Sequence, residues 1–546
     1  MKKIYYLAAV IVFSFISCDD YLNTEPINKV SIKQYYTDEQ GLTEALAGVY
    51  DPLGADELYG RNVFGGYNAC TDEGYLARTT QTNDLQYLSV NNINPTNVEV
   101  ASLWAICYTG VNRANDLIAN INLPKMDETK RQTILGEALF LRGYYNFLLV
   151  TNFGDIPMKL TPTTSPNDVY TPATPAKDVY DQILKDMTEA ETKVATSTSY
   201  GYSSRVSKTV VEGILARVCL QMAGFPLNDT AKYADALAWT KKVKDSGEHA
   251  LNTAFNSALN VTTGTVKFTN SAYSQIFINE AKDIYDIKET MWEIDFKGNR
   301  TDGYTETGRL GAFNGITMTG VTWTPTIGYG YGFIRGTARL YKAYGTGDLR
   351  RDWVLTPFTF NNTTGVKSPI TTTTGYGRDC AKWRREFDPD TNKNKNFTNT
   401  NFPVLRYADV LLMFAESENY VNGPTAAAYE AVNQVRRRGY GLPINTPSAV
   451  ADLPAGLSNA NFQLAVEKER MLELCFEGTR HMDLIRWGKY VSTMNSVGAE
   501  ITANGGNNAY GGLGGSNVTA RNVIYPYPSL ELAINHELKQ NPLWMN

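Results

Sequence analysis

The chain has 546 residues, of which 43% are hydrophobic and 20% charged, and it carries a formal net charge of −5. A single core rarely grows past about 250–300 residues, so at least two lobes are expected. The acidic balance argues against a nucleic-acid partner and against electrostatic docking to anionic lipid, and with only three histidines and no CxxC pair neither a metal site nor a cofactor is expected.

The chain opens with Lys2 and Lys3, followed by an apolar run over residues 4–16. That run is shorter than the roughly 20 residues a helix needs to cross a bilayer. A basic start, a short apolar run and a small residue before the cut read as a secretory signal peptide over residues 1–17. Phe15, Ile16, Ser17 and Cys18 look like a lipobox, with Cys18 the acylated residue. Cleavage removes two lysines and no acid, leaving the mature chain at −7. Five cysteines then remain, and their odd number and wide spacing give no disulfide framework. Cys107, Cys219 and Cys475 lie in helix-like apolar patterns and read as buried free thiols.

Residues 38–275 are mostly helical in pattern. The period is clearest over 134–150, where Leu135, Ala138, Leu139, Arg142, Tyr145 and Leu149 recur at helical spacing. Residues 102–121, 177–194, 207–223 and 233–245 behave similarly, and paired helices on short connectors resemble tetratricopeptide repeats without a strict 34-residue period. Residues 298–402 change texture. They are rich in Gly, Thr, Asn and aromatics, and Gly-Tyr-Gly-Tyr-Gly at 328–332 is loop or edge-strand chemistry. Helices return at 404–420, 426–438 and 461–477. The Gly/Asn-rich stretch 503–518 reads as a flexible surface loop, and a Pro-punctuated tail closes the chain.

Five segments, in order, resemble the SusD/RagB family of outer-membrane nutrient-binding lipoproteins. They are Cys18 through Pro26; Gly136 through Tyr145 with Phe153, Gly154, Asp155, Ile156 and Pro157; Arg406 through Met413 with Ala415 and Glu416; Glu469 and Arg470 through Gly478 to Arg480, Asp483 and Trp487; and Tyr525 through Pro528 with Glu531 and Gln540 through Pro542. The resemblance spans nearly the whole mature chain. It implies a mostly α, SusD-like fold: a scaffold of tetratricopeptide-like helix pairs with an irregular, loop-rich lobe carrying short strands. The expected division is a helical region over 18–275 and a second region over 276–546, with the loop-rich lobe at 298–402 and returning helices at 404–490. Arg142, Glu416, Arg470, Glu477 and Arg480 are expected to pair helix to helix, since buried charges persist only when paired and hydrogen-bonded. His481 and Asp483 lie in the same helix-end motif and are expected to be scaffold. Trp104, Trp292, Trp487 and Trp544 are placed there too.

The resemblance also implies a cell-surface, lipid-anchored protein that sits as a lid on a SusC-type, TonB-dependent barrel and captures glycan. Asp19 and Asp20 resemble the acidic signals that send such lipoproteins to the surface. A sugar ring offers an apolar face to Trp or Tyr and a rim of hydroxyls to Asn, Asp and Arg, and loops on a rigid scaffold are the usual place for such groups. Two loops qualify. Residues 68–97 hold Asp72, Tyr75, Arg78, Gln86, Tyr87, Asn91 and Asn92. Residues 299–335 hold Arg300, Tyr304, Trp323, Tyr329 and Tyr331, with Trp323 the leading candidate. The alternatives are capture of peptide, as in the RagB branch, a purely structural lid and, remotely, a surface glycoside hydrolase. A hydrolase needs two carboxylates about 5–9.5 Å apart, and no catalytic motif is present, so the expectation is a binding protein and not an enzyme.

Overall fold

In the computed structural model the helices of the first half begin where short polar side chains cap them. The structure describes residues 35–67, 71–78, 80–263, 266–296, 308–504 and 507–545. Cys18, the signal peptide, Arg300 and Tyr304 lie outside the described residues. Asp38, Asn97 and Asp127 accept backbone N–H groups in the first turns of α1 (Glu39–Tyr50), α2 (Val98–Asn120) and α3 (Glu128–Phe153). α3 ends at Gly154, whose φ of +75 suits glycine. Almost every side chain of α3 from Gly136 to Val150 is buried, which marks it as a central helix rather than a surface one.

α4 (Ala176–Glu191), α5 (Lys208–Ala223) and α6 (Lys232–Asp245) extend the array, each packing on the helix before it. The chain then leaves the array through α7 (Ala272–Ala281) and the irregular lobe. It returns with α8 (Tyr407–Asn422), which packs directly on α6 and continues the row with α9 (Ala426–Gly439) and α10 (Asn459–Leu474). The row of helices is therefore continuous in space and interrupted in sequence. α11 (Arg480–Arg486), α12 (Tyr490–Ala503) and α13 (Asn507–Ser516) follow.

The strands are short and pair two by two, all antiparallel: β1 (Gly74–Leu76) with β5 (Ile334–Gly336), β2 (Val261–Thr263) with β3 (Val266–Phe268), β4 (Thr290–Ile294) with β8 (Phe402–Arg406), and β6 (Phe358–Phe360) with β7 (Lys367–Pro369). Two of these ladders tie the lobe down. In the β1–β5 ladder Tyr75 pairs with Arg335. β4 carries Trp292 into the core, where its ring meets Phe140 at 5.4 Å and Tyr144 at 4.9 Å.

Two local expectations are corrected. Residues 404–406 do not start a helix; they finish β8, and the helix begins at Tyr407. β4 supplies a ladder partner, Pro403 lacks a helix donor, and Arg406 turns inward onto carboxylates. Residues 507–516 form a helix, not a loop. Its glycines let α12 and α13 touch backbone to backbone: a Cβ on Gly515 would lie 2.1 Å from the Met494 carbonyl oxygen, and one on Gly512 would lie 2.2 Å from Thr502 Oγ1. Close packing thus offsets glycine's poor helix propensity.

The charged residues of the motifs are interior. Arg142 grips Asp186 with two bonds of 2.7 and 2.8 Å. Arg486 holds Glu416, Arg470 bridges Asp409 and Asp483, and Arg480 clasps Asp72. At the junction of β8, α9 and α10, five cations (Arg350, Lys382, Arg406, Arg436, Arg438) meet five carboxylates (Glu289, Asp348, Glu469, Glu473, Glu477). Arg406 alone bonds Glu289, Glu473 and Glu477 at 2.7–2.9 Å. Burial by itself would raise the Glu473 carboxyl, but Arg438, Arg406 and Arg350 outweigh it and hold it at about 2. Burial pushes His481 down to about 4, so a neutral imidazole occupies the interior at neutral pH. Cys107, Cys219, Cys380 and Cys475 are buried free thiols. No helix among the described residues is long and apolar enough to cross a membrane.

Candidate functional site

The Gly-aromatic alternation of residues 328–333 leads into β5, with Gly328 and Gly332 at φ of +89 and +58, a conformation that favours glycine. Tyr329, Tyr331 and Phe333 stand in a row along it. The Tyr329 and Tyr331 ring centroids are 4.8 Å apart, and Tyr331 stacks on Phe333 at 4.8 Å with 28° between planes. Phe313 closes the row edge-on to Phe333 at 4.6 Å. The glycines are needed because neighbouring chain runs close behind: a Cβ on Gly330 would lie 2.0 Å from the Ile316 carbonyl oxygen. Backbone bonds from Tyr331 to Ala312 and from Phe333 to Phe313 fix the segment.

The β1–β5 ladder brings the other loop alongside. Ala77 N–H donates to the Phe333 carbonyl at 2.7 Å. Arg78 then lies over the Phe333 ring, its guanidinium carbon 3.9 Å from the centroid. Lys395 sits 4.7 Å over Tyr329, and the Tyr331 hydroxyl donates to Asn396 Oδ1 at 2.7 Å. Arg61, Arg309, Phe313, Tyr331, Phe333 and Asn396 line a cavity of about 210 Å³ beside this row. Its two arginines are held in place, Arg61 by Glu99 at 3.0 Å and Arg309 by Asp56 at 2.8 Å. The same bonds neutralise both carboxylates. The site therefore offers half-buried aromatic faces, oriented N–H donors and an amide at one opening. Loop rings on a rigid frame with fixed polar groups suit an uncharged ligand that carries both C–H faces and hydroxyls.

Of the residues singled out in the sequence, Arg78, Tyr329 and Tyr331 come together here. Trp323 does not line this cavity. It sits in a short helical turn, Val321–Trp323, with its ring against Gly365 and its Nε1–H donating to the Thr363 carbonyl at 3.1 Å. Tyr87 is half-buried in the helical turn Asp84–Ser89 and is not among the lining residues.

Asp72, Tyr75 and Asn91 are corrected as ligand contacts, because all three are interior. Asp72 accepts two bonds from Arg480, at 2.8 and 2.9 Å. Burial raises its carboxyl, and the Arg480 guanidinium more than reverses this, leaving it below the usual carboxylate range. Tyr75 is 2% exposed in β1, packed near Tyr376 and Gly511, and burial pushes its phenol up to about 12. Asn91, at φ +57, bonds the Gly514 carbonyl and accepts from the Tyr490 hydroxyl. Arg61, Arg309, Phe313, Phe333 and Asn396 were missed. Phe333 was findable, since the alternation at 328–332 runs one step further to it. The other four come from stretches with no shared pattern. No group of three or more His, Cys, Asp or Glu among the described residues is arranged to hold a metal ion.

Comparison with known proteins agrees with the fold. Residues 288–544 match the model of the SusD family, and residues 20–220 match a model described as starch-binding associating with outer membrane. A SusD-like protein P2 of Formosa agariphila is 23% identical, covering 99% of both chains. A SusD homologue of Bacteroides thetaiotaomicron superposes with a TM-score of 0.83 at 27% identity, over 95% of this chain and 99% of that one. Surface glycan-binding protein A of the same organism, solved in complex with laminarihexaose, superposes with a TM-score of 0.70 at 20% identity, over 92% of this chain and 100% of that one.

Proposed function

This chain belongs to the SusD/RagB family, and from that membership we propose that it captures glycan at the outer-membrane surface and passes it to a SusC-type, TonB-dependent barrel. The observation that carries the reading is the row Tyr329, Tyr331 and Phe333 with Arg78 across it. Each ring has a face for the C–H side of a sugar, and Asn396, Arg61 and Arg309 border the cavity where hydroxyls would lie. The laminarihexaose complex of a protein of the same fold supports the ligand class. The lipobox-like Cys18 supports a lipid anchor.

The proposed role is capture without cleavage. Among the described residues no carboxylate lines the cavity, whose Arg61 and Arg309 are bonded to Glu99 and Asp56, so no pair of acids borders the space a glycosidic bond would occupy. The test is a glycan array probed with the mature chain, followed by calorimetry on each hit and an assay for reducing ends. Binding without release of reducing sugar is expected. Release of reducing ends would contradict the capture role. A protein that binds peptides and no glycan would overturn the ligand class.

A further inference from the structure

A second, larger cavity of about 650 Å³ lies between α1 and β4 and shares no residue with the first. Its volume falls within the range of about 300–1,000 Å³ usual for small-molecule sites. Leu46, Leu53 and Ile294 give it an apolar floor. Glu293 reaches that floor while only 2% exposed, with Ser203 Oγ donating to it at 3.0 Å. One wall is locked from behind by Glu137, which is fully buried and accepts from Tyr50 at 2.6 Å, from Tyr200 at 3.1 Å and from Arg205 Nε at 3.1 Å. Tyr50 and Arg205 therefore face the cavity in fixed positions. On the rim, Arg113 is held by Asp51 and by the Gly48 carbonyl.

Aromatic rings adjoin the lining residues Arg205 and Asp295. Tyr200, Tyr202 and Tyr285 form a row with centroid spacings of 6.1 and 5.9 Å. Tyr285 is 39% exposed, and its hydroxyl donates to Asp295 Oδ2 at 2.8 Å, tying the row to the lining. Both arginines of the site already face carboxylates, which leaves no cation to draw an acidic ligand. Burial pushes the Glu293 carboxyl up to about 8, against the hydrogen bonds it takes from Ser203 and Asn401, so at neutral pH it adds no full charge beside the cavity.

We propose that this cavity, together with the adjoining row Tyr200, Tyr202 and Tyr285, is a second binding site for uncharged oligosaccharide. It rests on the reading that the chain binds glycan, and it adds a second point of capture on the same molecule. Two sites on one rigid body would raise the avidity for a polymer beyond that of either alone.

The test uses the mature chain and the oligosaccharides that bind it on a glycan array. Three variants are compared by calorimetry: Tyr331→Ala, Tyr331→Ala with Ala47→Trp, and Tyr331→Ala with Tyr285→Ala. Ala47 is exposed on α1 and lines the cavity, so the indole fills it without entering the core. Tyr331→Ala is expected to weaken the first site and to leave one binding event per chain at wild-type strength. Adding Ala47→Trp should abolish it, and adding Tyr285→Ala should weaken it by about tenfold or more, the loss of one stacking ring. The Tyr285 variant decides the matter if the Ala47 variant melts early. If the wild type binds and Tyr331→Ala binds nothing, the second site is refuted and glycan capture at Tyr331 stands. Residual binding indifferent to both cavity variants also refutes it. No binding of any array glycan to the wild type sinks both readings together.

Discussion

Arginine behaves in two opposite ways in this molecule. At the junction of β8, α9 and α10, Arg350, Arg406 and Arg438 have no exposed side-chain surface, and each is bonded to one or more carboxylates. Beside the aromatic row, Arg78 lies half-buried over a ring, and Arg61 and Arg309 border a cavity while Glu99 and Asp56 steady them. The first group turns its guanidinium groups wholly inward onto carboxylates of the fold. The second keeps donors and ring faces turned to a space a ligand can enter. The presence of charged residues in a recurrent motif therefore points to the scaffold here, and the site has to be sought where rings and cations remain accessible.

The largest effect expected from breaking this contrast is at Glu473. Glu473→Ala strips a buried partner from Arg350, Arg406 and Arg438, and removing one side of a buried pair costs about 3–5 kcal/mol. Denaturant or thermal unfolding should show the loss, with glycan binding failing only because the chain unfolds. Acid should act on this network and on the separate Arg217–Asp409–Arg470 cluster. Glu473 and Asp409 titrate at about 2 in the folded chain, against 4.5 and 3.8 for the free groups. Their contribution is complete above the free values and is lost as pH falls from about 4.5 to about 2. Melting temperature measured down that range should drop steeply.

A smaller effect of opposite sign is expected at Glu73. Burial pushes its carboxyl up to about 8 despite the nearby Arg480, so the folded chain holds a proton there that the unfolded chain releases above 4.5. Folding is penalised progressively as pH rises through 8. Glu73→Gln keeps an acceptor for the Phe476 N–H and has no charge to desolvate, so its melting temperature should gain on that of the wild type as pH rises from 5 to 8. Smallest of all is Trp323→Ala. That ring rests on the Gly365 turn, away from the Tyr331 cavity, so glycan affinity should fall less than it does on Tyr331→Ala, by the same calorimetric titration.

Much of the scaffold was legible because helical spacing and short apolar periods are local properties. α3 was evident from its own residues, and the motif charges do pair, though not always helix to helix: Glu477, past the end of α10, bonds Arg406 of β8 and Lys382, and Arg480 bonds Asp72, which lies outside any helix. What failed depended on partners far away in the chain. Residues 404–406 become a strand because β4 lies beside them, and the glycines of α13 become an advantage only against α12. Asp72 and Asn91 look like loop polar groups until Arg480 and the α12–α13 corner are placed over them. The candidate site was partly legible through its Gly-aromatic alternation. The α1–β4 cavity was not, since its lining is drawn from α1, α2, residues 204–205 and β4, none of which carries a signal alone.

The central claim is that binding and folding are carried by different residues, and Tyr331 is where the two separate most cleanly. Its ring stacks on Phe333 in the open row, and its hydroxyl bonds only a loop amide. Calorimetric titration of Tyr331→Ala with a glycan bound by the wild type, paired with a thermal melt, measures both at once. The account predicts that binding at this site weakens by about 1–3 kcal/mol, as for loss of one stacking ring, with an unchanged melting temperature. Undiminished binding, or a melting temperature that falls as it does for Glu473→Ala, would contradict it.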